Sequence, residues 1–139
     1  MGRGREGNGD SRRYYEWLER AGDDIAAAEL LLNSENTLCA AAFHCQQCIE
    51  KALKGYILYK TDQHLDGHNL TWLCRQAVKS DRHFEEWLDD SVILNRYYIE
   101  TRYPADIPLK IDKATVSRAY NMALEMYKFT CLEVYKDAE

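Results

Sequence analysis

Chain-breaking residues are scarce in this sequence. Of 139 residues, two are proline and seven are glycine, and three of the glycines (Gly2, Gly4, Gly7) fall in the first seven positions. A body with so little punctuation favours long helices. No apolar run approaches the length needed to cross a bilayer, so no membrane association is expected. The N-terminus, Met-Gly-Arg-Gly-Arg-Glu-Gly-Asn-Gly-Asp, lacks the apolar core of a secretory signal. A cytoplasmic protein is the expectation. Positive charge is also in short supply: 18 Lys and Arg against 23 Asp and Glu give a net charge of −5. That argues against coating nucleic acid through overall charge, because such binding depends on neutralising phosphates with cations; a local basic site remains open. The five cysteines are an odd number in a chain without a signal sequence, which reads as reduced thiols rather than a disulfide framework.

What is present is helical periodicity. Residues 1–10 form a Gly/Arg/Asn tail without pattern, expected to be disordered, and residues 11–139 make one domain with a single core. Asp10 or Ser11 can cap a first helix. Its stripe of Tyr14, Trp17, Leu18, Ala21, Ile25, Ala28 and Leu32 recurs at steps of three and four. A turn at 33–36 leads into a second helix over about 37–60. A polar loop at 61–68 ends at Asn69, a cap for a short helix at 70–80. A fourth helical pattern runs from 83 or 84 to about 101. Pro104 and Pro108 then forbid continuation. Asp112 can cap a last helix that reaches about residue 135. No segment alternates as a strand. The fold class is all-α, an up-and-down four-helix bundle with one additional short helix.

The second helix organises the rest. It is apolar over most of its circumference, as expected of a central element, yet Gln47, Glu50, Lys51 and Lys54 share roughly a quarter of it at about 100° per residue. This stripe is either a solvent-facing edge or the wall of a cleft, ligand site or interface. Arg102-Tyr103-Pro104 places an Arg at a helix end, where it suits a phosphate or carboxylate or complements the helix dipole. Cys45-x2-Cys48 has metal-ligand spacing, and His44, His64, His68 and His83 offer further donors. No second cysteine pair completes a zinc set, so the expectation is no metal and no cofactor. His44 and Cys45 are adjacent, and adjacent residues on a helix point about 100° apart, so no nucleophile pair follows.

The run Ala42-Phe43-His44-Cys45-Gln46-Gln47-Cys48-Ile49-Glu50-Lys51-Ala52-Leu53-Lys54 resembles the signature of the HEPN family, with Cys48 where Ala is usual. His68-Asn69-Leu70 is similar to that family's His-Asp/Asn-Leu opening of the next short helix. Tyr98-Ile99-x-x-Arg102-Tyr103-Pro104 is similar to the Arg-Tyr-Pro segment of a large prokaryotic branch. The resemblance covers about residues 13–136. It implies a helical bundle, a homodimer, and pairing with a small nucleotidyltransferase protein of the toxin–antitoxin kind. Many members are metal-independent ribonucleases that carry an Arg-x4-6-His motif. That motif is absent here: no His follows Arg96 or Arg102, and seven residues separate Arg75 from His83.

Three functional readings follow. The first is a non-catalytic module that binds a nucleotide, an RNA end or the nucleotidyltransferase partner. In it Lys51, Lys54 and Arg102 contact phosphate, Tyr103 stacks, and Gln47, Glu50 and His68 complete the site. The second is a ribonuclease with a non-standard site, His68 serving as acid and base. The third is a structural or regulatory subunit without a small ligand.

Overall fold

The structure is a computed structural model that describes residues 10–100 and 111–136, with side chains left aside at 99 and 100. Its helices are α1 (Tyr14–Leu31), α2 (Leu38–Thr61), α3 (Leu70–Ser80), α4 (Leu88–Asn95), α5 (Tyr97–Glu100) and α6 (Lys113–Tyr135), with 3-10 turns at Glu35–Thr37 and Arg82–Trp87. Strands are absent among the described residues. No described helix is long and apolar enough to cross a membrane.

Helix α2 is the hub. It packs along α1 and α6 and touches α3, α4 and α5, and its buried residues run from Leu38 to Leu58. Helices α1 and α2 are antiparallel. The start of α1 lies against the end of α2, where a Cβ on Gly55 would sit 3.0 Å from Trp17 Cβ and 3.1 Å from the Tyr14 carbonyl oxygen. Glycine thus lets the two backbones close. At the other end, Thr37 donates to the Leu31 carbonyl at 2.6 Å. Helix α6 runs antiparallel to α1, with Tyr14 and Tyr135 rings 6.5 Å apart and Tyr127 donating to the Leu18 carbonyl at 3.4 Å. The up-and-down arrangement follows from these contacts.

The terminating signals act mostly as the sequence implies. Asn69 accepts from Trp72 N at 3.0 Å to start α3, and Asp112 accepts from Thr115 N at 2.8 Å to start α6. Helix α2 stops at Asp62, which takes a left-handed conformation with φ of 60°. Two expectations are corrected. The cap of α1 is Arg13, which makes no side-chain cap bond; Ser11 instead accepts from Arg13 N at 2.9 Å and pairs with Glu16. The fourth helix is not continuous. Its first turn winds as a 3-10 segment from Asp81, whose carboxylate accepts from His83 N at 2.9 Å. That tighter winding aims Phe84 into the core, against Tyr56 at 4.5 Å and Phe129 at 5.0 Å between ring centroids. Helix α4 then ends at Asn95 and α5 begins at Tyr97. The tail at residues 1–9 and the Pro104–Pro108 segment lie outside the described residues.

Candidate functional site

The polar stripe of α2 is not a solvated edge. Glu50 is 4% exposed and Lys54 8%, values that for two charged residues demand partners. They find each other first: Lys54 Nζ donates to Glu50 Oε2 at 3.0 Å. Their i, i+4 spacing puts them one turn apart on the same face. Lys54 also stands over the Trp17 ring, 5.7 Å from its centroid, an arrangement favoured by the ring quadrupole.

Glu50 gathers three more donors. Gln46 and Gln47 reach its Oε1 at 3.3 and 3.2 Å. His68 Nδ1 lies 3.0 and 3.1 Å from its two oxygens. Gln46 is fully buried and also donates to the His68 carbonyl at 3.1 Å, so side chain and backbone of His68 are both held from α2. A carboxylate on Nδ1 requires that nitrogen to carry the proton, which leaves Nε2 outside this contact.

The His68 ring stacks on Tyr98, with centroids 4.2 Å apart and planes 14° from parallel. These two, with Asn69 and Asn95, line a recess of about 210 Å³. Each asparagine spends its carbonyl oxygen on α3, Asn69 on Trp72 N and Asn95 on Leu70 N at 2.7 Å. The amide NH2 groups are outside those bonds. The recess therefore combines an aromatic wall, amide donors and an imidazole nitrogen.

Lys51, the remaining member of the stripe, turns the other way. Its Nζ pairs with Asp24 at 2.7 Å, and the same carboxylate holds His44 Nδ1 at 2.7 Å. Asp24 is 6% exposed, so α2 carries two buried carboxylates in its surroundings, each bound to one Lys and one His. Lys51 and Lys54 thus have their charges engaged within the fold. Gln47, Glu50, Lys54 and His68 come together; Lys51 joins a separate cluster; Arg102 and Tyr103 lie outside the described residues.

Sequence reasoning named Gln46, His44 and Tyr98 without placing them in the candidate site, and missed Asp24 and Asn95. Asp24 was detectable: it sits three residues after Ala21 and four before Ala28, inside the apolar stripe of α1, where an unpaired charge is excluded. Asn95 offered no comparable sign. The cysteines of α2 are sealed in the core, and burial pushes the Cys45 thiol up to about 12 and Cys48 well above its usual range. Neither is a nucleophile at neutral pH.

The HEPN domain family model matches residues 14–134. The chain belongs to the HEPN domain family. Among solved structures, the crystal structure of TT1696 from Thermus thermophilus is 27% identical, with a TM-score of 0.72 over 86% of this chain and 97% of that one. The crystal structure of ST0689, an archaeal HEPN homologue, is 20% identical, with a TM-score of 0.68 over 88% of this chain and 98% of that one. The latter likeness is one of fold. A comparison with curated proteins gave no match. The HEPN bundle here carries its polar network on α2, which meets His68 just before the start of α3.

Proposed function

We propose that this HEPN chain is a binding module whose recess between α3 and α5 takes a nucleotide or an RNA end. The observation that carries the reading is the His68–Tyr98 stack anchored on buried Glu50. A base needs an aromatic face, and a phosphate or base edge needs N–H donors. Both are within reach of the recess lined by His68, Asn69, Asn95 and Tyr98. The net charge of −5 favours a short ligand over a long polyanion, whose binding would need many cations. Arg102 and Tyr103 are proposed as further contacts from the Arg-Tyr-Pro segment. The resemblance adds a homodimer and a small nucleotidyltransferase protein as the proposed partner. The absence of an Arg-x4-6-His motif favours binding over cleavage.

A second reading rests on the orientation of His68. With Nδ1 fixed on a carboxylate, Nε2 is placed for proton transfer, as a metal-independent ribonuclease requires. Calorimetric titration with mononucleotides and short RNAs, in parallel with RNA cleavage assays, separates the two. The binding reading predicts saturable uptake lost in Arg102→Ala and His68→Ala, with RNA left intact. No uptake at millimolar ligand defeats it, and cleavage abolished by His68→Ala establishes the second.

A further inference from the structure

Away from the Glu50 network, three metal-ligating side chains from two separate segments converge. Asp10 precedes α1, and His64 and Asp66 belong to the loop between α2 and α3. One ligand atom from each lies within 4.8 Å of the others. We propose that Asp10, His64 and Asp66 form a site for a divalent first-row transition ion, which fastens the segment before α1 to the α2–α3 loop.

The first support is an unsatisfied atom. The His64 ring packs 5.6 Å from the Trp17 ring, its side chain is 14% exposed, and Nε2 is buried with no hydrogen-bond partner. A ring nitrogen sealed from water without a hydrogen bond is costly and calls for an occupant.

The second is distance. Where imidazole and carboxylate hydrogen-bond elsewhere in this chain they close to 2.7 Å, at His44 and Asp24, and to 2.9 Å, at His83 and Asp81. His64 stands off from both of its carboxylates: Nε2 is 3.5 Å from Asp10 Oδ2 and Nδ1 is 3.7 Å from Asp66 Oδ1. Such gaps are long for a hydrogen bond. The Nε2–Asp10 gap is near the separation of two ligands that each bind a shared ion at about 2.0–2.2 Å; the Asp66 gap is measured from Nδ1, on the other side of the ring, and is not such a separation. The ion sits against Nε2 and Asp10. Asp66, 81% exposed, has the rotational freedom to bring an oxygen round.

The third is chemistry. One imidazole and two carboxylates form a nitrogen–oxygen set that suits zinc, cobalt or manganese rather than the all-oxygen shells of calcium and magnesium. Two carboxylates balance the dication. The partial exposure of Asp10 and Asp66 leaves remaining positions to water. The sequence expectation of no metal weighed Cys45-x2-Cys48, whose thiols are in the core and take no part here.

Cobalt(II) titrated into EDTA-treated, untagged full-length protein tests the site. One equivalent is expected to bind, to raise the melting temperature and to give d–d absorption without a thiolate charge-transfer band. His64→Gln and Asp66→Asn should each weaken binding at least about tenfold, and His83→Ala should leave it unchanged. Asp66→Asn, at an exposed position, keeps the test valid if His64→Gln disturbs packing on Trp17. No binding at millimolar cobalt, a thiolate band, or unchanged affinity in Asp66→Asn overturns the site.

Discussion

Glu50 and His68 are eighteen positions apart and on different elements, yet His68 Nδ1 sits 3.0 Å from Glu50 Oε1. That contact ties the hub helix to the start of α3. It also fixes which imidazole nitrogen the carboxylate engages.

The same carboxylate neutralises Lys54, and the ion pair is almost fully sheltered. Removing one partner of a buried pair strands the other, at about 3–5 kcal/mol. Glu50→Ala is therefore expected to lower unfolding stability by several kcal/mol in urea titration. Asp24→Ala should cost less, because its partners Lys51 and His44 retain 28% and 33% side-chain exposure and can rehydrate. Equal losses in the two variants would contradict this ordering.

Gly55 supplies a test with opposing signs. Helix propensity alone favours alanine over glycine by about 1 kcal/mol. A Cβ at this position, however, meets Trp17 Cβ at 3.0 Å and the Tyr14 carbonyl at 3.1 Å. Neither is the loose end of a flexible side chain, so overpacking of about 1–3 kcal/mol is expected. Gly55→Ala should lower the melting temperature; a rise would show that α1 and α2 can part without penalty.

Thiol chemistry reports on the core. Cys39 is exposed, Cys131 partly so, and Cys45, Cys48 and Cys74 are buried. Burial pushes Cys45 and Cys74 up to about 12. In native protein at pH 8, a disulfide reagent should label Cys39 rapidly, Cys131 more slowly, and the other three only after denaturation. The sign of the pH effect follows. A thiol whose value is raised on folding stabilises the folded state fully below its unfolded value, near 9. That contribution is lost as pH rises towards about 12. Alkaline unfolding in that window, shifted upward in pH by Cys45→Ala or Cys74→Ala relative to each variant's neutral-pH stability, is the expected result.

Much of this architecture was legible because its signals are local. Asn69 and Asp112 cap where their side chains can reach the next turn, and the stripes of α1 and α6 follow the helical period. The convergence of Glu50, Lys54 and His68 was legible only through the family resemblance, since spacing alone left the stripe as either edge or wall. What escaped reading depends on tertiary direction. The fourth helical pattern splits because Phe84 must reach Tyr56 and Phe129, and because Asn95 is drawn to the backbone of Leu70. Lys51 and Lys54 look equivalent on a wheel, yet Asp24 claims one and Glu50 the other. No periodicity rule assigns those partners.

The binding claim is tested most directly on the histidine rings themselves. The chain has four histidines, so their imidazole resonances can be assigned by single substitution and followed as a nucleotide is added. The account predicts that His68 shifts most, saturably, and that exposed His83 on the α3–α4 turn does not respond. An unmoved His68 at millimolar nucleotide, or equal shifts at all four rings, would contradict it.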